Sequence, residues 1–290
     1  MIAIVTDSTA YLTHEEAVAL GVVVVPMSYS FSDNQSFNEG CIEADTRAEQ
    51  EVAEHIDTVH TSQASLNGFI NTFKRLKSAG YDILCLTISS RLSGTYANAV
   101  LAAKEVGKQR IEVVDSLTTC SGLYLLIREA RMRIRSGAKL SAVAKEINKL
   151  RERVRICFSV DDMAPLRRSG RLGNVRMSVS TMLNIKPIIS CDKQGYYFAV
   201  KKARGWEKAL ATEVKLAREW SVFFDKVRLG ICCTNALDVF DEMEEKLRAA
   251  VPNALPDIQR TLISPDLLIH TGPELVGVSV IPATEEDPAR

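Results

Sequence analysis

Short apolar runs alternate with helix-spaced apolar stripes through the first half of the chain. Residues Ile2–Asp7 and 22–27 read as strands, the second ended by Pro26. Between them, residues 13–20 read as a short helix. Thr13 caps it and Glu16 stands three residues on, the spacing of a capping box. Residues 29–60 are polar and weakly periodic, an excursion from the main pattern. From 64 to 79 the positions Leu66, Phe69, Ile70, Phe73 and Leu76 fall on one helical stripe, which Gly80 ends. A buried strand at 83–89, a helix at 94–106 and a strand at 111–115 follow, then helices at 118–136 and 141–153. Strands and helices alternating at these lengths predict a mainly parallel sheet with helices on both faces.

After residue 154 the pattern changes. Strand-like runs at 155–160, 186–191, 196–203, 226–233 and 257–263 are separated by helices near 206–223 and 237–250. Gly195 between two of the runs predicts a hairpin, so this sheet is mixed or antiparallel. The expected architecture is α/β with two domains, 1–154 and 155–290. No Gly/Ser linker joins them, so they should pack tightly. The charged tail at 285–290 is expected to be disordered.

Charge changes the picture by exclusion. Lys plus Arg equals Asp plus Glu at 36 each, so no global field draws the chain to nucleic acid or an anionic membrane. No segment approaches the roughly 20 apolar residues of a membrane span. The first residues lack the basic flank and long apolar core of a signal peptide. The seven cysteines are odd in number, show no CxxC spacing and sit mostly in apolar runs. They read as reduced, buried thiols of a cytoplasmic protein.

Two hydroxyl-rich segments carry the candidate chemistry. Thr61-Ser62-Gln63-Ala64-Ser65 directly precedes the helix expected at 64–79. Ser89-Ser90-Arg91-Leu92-Ser93-Gly94-Thr95 joins a buried strand to the next helix. In an open α/β sheet, ligands bind outside the carboxyl ends of the strands. Helix N-termini there offer unpaired N–H groups and partial positive charge, and Gly94 permits close approach to the backbone. The pattern suits a small anion, carboxylate or phosphate. Plain N-capping explains each segment alone, since Ser and Thr caps contribute about 1 kcal/mol without any ligand. Asp7-Ser8 and Asp115-Ser116 each end a strand, where the acid can cap a loop or position a hydroxyl. Arg167-Arg168-Ser169-Gly170-Arg171 reads as a capped helical turn with a solvated basic face, and His270 as part of a turn-rich loop.

Several motifs are absent from the sequence. It has no GxxxxGK[ST] loop for ATP, no GxGxxG for a dinucleotide, no GxSxG elbow and no metal-spaced cluster of His, Asp or Glu.

Together these residues resemble the DegV family, the fatty-acid-binding subunits of bacterial fatty acid kinase. The likeness runs through Val5-Thr6-Asp7-Ser8-Thr9, Thr61-Ser62-Gln63, Ile88-Ser89-Ser90, Leu92-Ser93-Gly94-Thr95-Tyr96 and Val114-Asp115-Ser116-Leu117. It continues through 166–172 around Gly170-Arg171, Ile185-Lys186-Pro187, Arg204-Gly205 and His270-Thr271-Gly272-Pro273. The resemblance implies a protein without a catalytic centre or cofactor of its own. Its ligand would be one long-chain fatty acid, whose carboxylate is held near the helix starts of the first, head-group-binding domain and whose tail the mixed sheet of the second domain encloses. Thr61 and Ser93 would contact the carboxylate, with Ser62, Gly94 and Thr95 alongside and His270 as polar neighbour. Arg171 and Arg204 would lie where added phosphate could meet them. The implied partner is a separate ATP-binding kinase subunit that converts the carboxylate to an acyl phosphate. The chain departs from the family pattern at several positions: His60 and Ala64 stand where proline is usual, Tyr11 for an acid, Ser169 for glycine and Tyr124 for a small residue.

Other readings stand beside this one. Ser93 as nucleophile with His270 as base would make an esterase or acyltransferase, although no orienting acid can be named. A carrier of a small phosphorylated or hydroxylated ligand is a third. The basic run from 128 to 155, Arg133 and Arg135 included, reads as solvated helix faces or as a dock for the kinase subunit.

Overall fold

In the computed structural model, residues 1–31, 36–41, 54, 56, 58–172, 184–234, 237–263 and 265–283 are described. The expected disordered tail at 285–290 lies outside them. Four strands, β1 (Ile2–Asp7), β2 (Val22–Val25), β6 (Asp82–Thr87) and β7 (Ile111–Asp115), form an all-parallel sheet in the order β2-β1-β6-β7. The chain adds a strand on one side of β1 and later returns to its other side. The junction of β1 and β6 is therefore a topological switch point, where the loops diverge and leave a crevice beyond the carboxyl ends. Helix α1 (His14–Leu20) begins with the expected capping box, Thr13 Oγ1 accepting the Glu16 N–H. Helices α2 (Leu66–Ser78) and α3 (Thr95–Val106) pack on one face, burying Phe69, Ile70, Phe73 and Leu76.

The strand expected at 22–27 is two strands. Pro26 has no N–H to extend the ladder, and the chain turns out of the sheet there. β3 (Met27–Ser30) instead pairs antiparallel with β4 (Ser36–Glu39) and β5 (His60–Ser62). Part of the polar excursion is thus a small three-stranded sheet standing over the crevice.

The second sheet has six strands in the order β10-β9-β8-β13-β11-β12. They are β8 (Arg155–Val160), β9 (Ile185–Cys191), β10 (Tyr197–Arg204), β11 (Val227–Cys233), β12 (Gln259–Leu262) and β13 (Leu275–Pro282). Only β11 and β12 pair in parallel, so the sheet is mixed. Gly195, at φ +91°, makes the β9–β10 turn. The sequence pattern missed β13, a central strand. Gly277 and Ser279 interrupt its apolar run, and Gly277 fits because a Cβ there would lie 2.8 Å from the Cys157 carbonyl oxygen. α7 (Trp206–Ser221) and α8 (Leu237–Ala250) cover one face of this sheet.

α4 (Cys120–Arg135) is sandwiched between the two sheets, and Cys120 to Ile127 are all buried. α5 (Leu140–Leu150) covers the parallel sheet beside it. On α4, Glu129 is buried and takes Arg228 of β11 at 3.3 Å and Arg133 at 2.7 Å. Ion pairing across this layer joins the two α/β domains. The basic run is largely consumed locally: Arg133 goes to Glu129, and Arg135 donates to the Ala19 carbonyl at 3.2 Å.

Candidate functional site

Two aspartates shape the crevice. Asp7, fully buried at the end of β1, accepts the Thr9 N–H at 3.1 Å, the Thr9 hydroxyl at 2.5 Å and the Ile88 N–H at 2.8 Å. Asp115, at the end of β7, accepts the Ser90 and Leu117 N–H groups, each at 3.1 Å. The loop after β6 is thereby gripped from the strands on both sides of it. Burial pushes the Asp7 carboxyl above the ordinary aspartate range, against the pull of its three donors.

The gripped loop presents Ser93 and Gly94. Thr95, completely buried, shares a 2.9 Å hydrogen bond with Ser93 Oγ and accepts the Ala64 N–H at 3.2 Å. It ties the two hydroxyl-rich segments together and is not part of the cavity wall. Gly94 is the N-cap of α3, with φ −72°. A Cβ there would meet the Gln63 carboxamide at 2.0 Å, so the exposed Gln63 side chain would have to swing aside. Thr61 is not at a helix tip. It sits on β5, and Ser65 caps α2 by accepting the Gly68 N–H at 3.0 Å.

Opposite lies α9 (Pro265–Thr271), a short helix where the sequence suggested a loop, and His270 is in its last turn. His270 Nε2 and Thr61 Oγ1 share a 2.7 Å hydrogen bond across 209 positions of sequence. Burial, with the Arg171 cation nearby, pulls the imidazole down to about 4, so it is neutral at pH 7. α6 (Ala164–Arg168), the helical turn read from the sequence, leads to Arg171. Arg171 Nη1 donates to the Ser169 carbonyl at 2.5 Å, and among the described residues no carboxylate pairs with it. Asp266, one turn before His270, accepts the Tyr11 hydroxyl at 2.6 Å.

These groups line a partly open cavity of ≈ 310 Å³. Of the residues singled out in sequence, Thr61, Ser62, Ser93, Gly94, Arg171 and His270 line it. Arg204 does not: it is exposed at the end of β10. Thr9, Tyr11, Tyr197 and Asp266 line it without having been assigned there. Thr9 belongs to the strand-end motif around Asp7 and Tyr11 was marked as a family departure, but nothing local marks Tyr197 or Asp266.

Hydroxyls, a neutral imidazole, the Asp266 carboxyl and a guanidinium that pairs with no carboxylate among the described residues thus line this cavity beside the switch point, with apolar walls at Ile88, Leu92 and Leu267. Among the described residues no group of three or more His, Cys, Asp or Glu could hold a metal ion, and no helix is long and apolar enough to cross a membrane. Among the described residues no disulfide is formed, and burial raises the Cys85 and Cys157 thiols.

The fold is that of a two-domain α/β protein, with this cavity lined from both domains. The chain belongs to the DegV family, described as uncharacterised proteins, whose pattern matches residues 1–283. A DegV domain-containing protein of Deinococcus radiodurans is 32% identical over 286 residues, 97% of this chain and 98% of that one. Another, of Halalkalibacterium halodurans, is 30% identical over 282 residues, 96% and 97% of the two chains. Among solved structures, a DegV family protein from Thermus thermophilus, described for its fatty acid binding, superposes with a TM-score of 0.87 at 29% identity, covering 97% and 99% of the chains. DegV of Bacillus subtilis, described as a fatty acid binding protein, gives 0.85 at 26%, with the same coverage.

Proposed function

We propose that this protein binds one fatty acid, with the carboxylate between Thr61 and Ser93 and the tail directed into the apolar part of the cavity. The observation that carries this is the convergence of those hydroxyls, from separate segments of the first domain, on a neutral His270 and an Arg171 that has no acid partner among the described residues. A neutral imidazole can donate one hydrogen bond to a carboxylate without drawing it into a deep ion pair. The fatty-acid-binding relatives support the ligand class. Each buried methylene contributes about 0.8 kcal/mol, so the tail supplies affinity while the head group fixes orientation.

The second part of the proposal is that the protein has no chemistry of its own and offers the carboxylate to a separate ATP-binding kinase subunit in the cytoplasm, which makes the acyl phosphate. Two observations favour a carrier over a serine hydrolase. Ser93 Oγ bonds Thr95 rather than His270, and His270 Nε2 is engaged by Thr61. Neither member of a nucleophile–base pair is set up for proton transfer to the other.

Native mass spectrometry of protein purified from bacterial cells tests the first part. An added mass matching a fatty acid is expected, and it should be lost from a Thr61→Val, Ser93→Ala double variant. No lipid adduct, with none acquired on adding fatty acids, would sink the reading. For the second part, the loaded protein should release no product from acyl esters, and should yield acyl phosphate only with ATP and a kinase subunit.

A further inference from the structure

The cavity wall that carries His270 is α9, a helix of seven residues contributed by the second domain. So short a helix has little stability of its own, and tertiary contacts decide where it sits. Two side-chain hydrogen bonds fasten it to the first domain, one turn apart on the same face. Thr61 and His270 share the one already described, at 2.7 Å, and the Tyr11 hydroxyl donates to Asp266 at 2.6 Å across 255 positions of sequence. Leu268 and Ile269 pack beside them in a small cluster with Tyr29 and Val59.

Tyr11 holds its end of this contact at a backbone cost. It follows a 3-10 turn, Ser8–Ala10, at the end of β1, with φ +51° and ψ +46°. A bulky residue seldom adopts this left-handed conformation, which persists where the surrounding structure enforces it. The ring is buried in an apolar cluster with Ile88, Leu92 and Leu267. The same turn delivers Thr9 to the cavity, and Ser8 Oγ accepts the Met27 N–H at 3.1 Å. The segment after β1 therefore sets where α9 lies relative to the hydroxyls, and His270 travels with α9. A carboxylate between Thr61 and Ser93 draws on the Thr61 hydroxyl and the imidazole, so such a ligand competes with the first fastening. The bond from Tyr11 to Asp266 lies outside that exchange.

We infer that Tyr11 is a positioning residue of the head-group site: through Asp266 it holds α9, and so His270, where the imidazole and Thr61 can meet the same carboxylate. The inference rests on the fatty-acid reading for its ligand, while the placement of His270 can be read with no ligand present. Affinity falls in proportion to the fraction of protein whose α9 is docked. Loss of a buried hydrogen bond to a carboxyl group shifts such a balance about tenfold.

The test uses Tyr11→Phe, which removes the hydroxyl and keeps the ring. Ser159→Ala is the control: it deletes a buried hydrogen bond of the same 2.6 Å length, to Glu213 between β8 and α7, and neither residue lines the cavity. In NMR titrations of the ligand-free full chain, the His270 midpoint near 4 should move toward 6.5 in Tyr11→Phe, as the ring leaves Thr61 for water, and stay in place in Ser159→Ala. Palmitate affinity by calorimetry should fall about tenfold in Tyr11→Phe and hold in the control. In an Asp266→Ala background, Tyr11→Phe should change neither quantity further, because the hydroxyl acts through that carboxyl. A Tyr11→Phe protein that matches the control in both measurements would overturn the inference. So would a moved midpoint with unchanged affinity, or effects that add in the double variant. Palmitate that fails to bind the wild-type protein would instead overturn the fatty-acid reading, and the ligand-free titrations would still decide whether Tyr11 places His270. Tyr11→Phe against the control suffices if Asp266→Ala does not fold.

Discussion

Asp7 closes the switch point by accepting the Ile88 N–H at 2.8 Å, a bond between the end of β1 and the loop beyond β6. The same carboxylate holds Thr9, which lines the cavity, so one buried acid shapes two walls. Asp7→Asn keeps the size but turns an NH2 group toward a donor. It should destabilise the protein by about 1–3 kcal/mol and weaken fatty-acid binding through the displaced loop. The pH dependence has a definite sign. Burial raises the Asp7 carboxyl in the folded state above its ordinary 3.8. Its contribution is therefore most favourable below that value and is lost as pH rises through the raised folded value. Urea unfolding across the acid range should show this component in the wild type and not in Asp7→Asn.

His270 gives the opposite sign. With the folded imidazole pulled down to about 4 from 6.5, the unfolded chain binds the extra proton first as pH falls. The contribution is fully present above pH 6.5 and is lost between there and about 4, at most roughly 3 kcal/mol over the window. In an NMR titration the His270 ring signal should be flat through neutrality, with its midpoint near 4. Saturating fatty acid should move that midpoint upward, because an adjacent carboxylate favours the imidazolium. A free-protein midpoint near 6.5 would contradict the burial that places His270 against Thr61.

Gly195 makes the hairpin of the second sheet touch the loop of the first. Its carbonyl accepts the Ser89 hydroxyl at 2.9 Å, and a Cβ would lie 2.1 Å from that oxygen. At φ +91° a side chain is also strained by its own backbone. Gly195→Ala should therefore cost about 1–3 kcal/mol in thermal or urea unfolding. Its binding loss should be larger than that of an alanine at exposed Gly170, which has no neighbour within 4 Å of a new Cβ.

Much of this architecture is legible in sequence because it is local. The Thr13–Glu16 capping box, the strand Ile111–Asp115 and the Gly195 turn each follow from a few adjacent residues. What escaped depends on partners far away. β13 is central because β8 and β11 flank it, not because its own pattern is strong. Likewise, the bond between Thr61 and His270 spans 209 positions, and the loss of Arg133 to Glu129 depends on a buried layer that charge counting cannot see. The hydroxyl segments were visible as chemistry. Their division of labour was not: Thr95 ties the loops, Ser65 caps the helix, and Ser93 with Thr61 faces the cavity.

Under the proposed function, Ser93 is where holding the ligand and presenting it to a kinase subunit can be told apart. Its hydroxyl is one of several polar groups around the proposed carboxylate, while the tail supplies affinity through buried methylenes. Removing one hydrogen bond to a charged group costs about 1.5–3 kcal/mol where nothing replaces it. Water at the partly open head-group end, together with Thr61 and Arg171, should recover part of that for binding. Transfer of a phosphoryl group is less forgiving, since a misplaced acceptor oxygen forfeits the alignment with the donor. Ser93→Ala should thus weaken fatty-acid binding less than tenfold and lower acyl-phosphate formation with the kinase subunit by a clearly larger factor. The two are measured on the same preparation by calorimetry and by product formation at saturating fatty acid. Equal losses in both assays would mean that Ser93 serves only to bind, and the division between tail and head group would have to be abandoned.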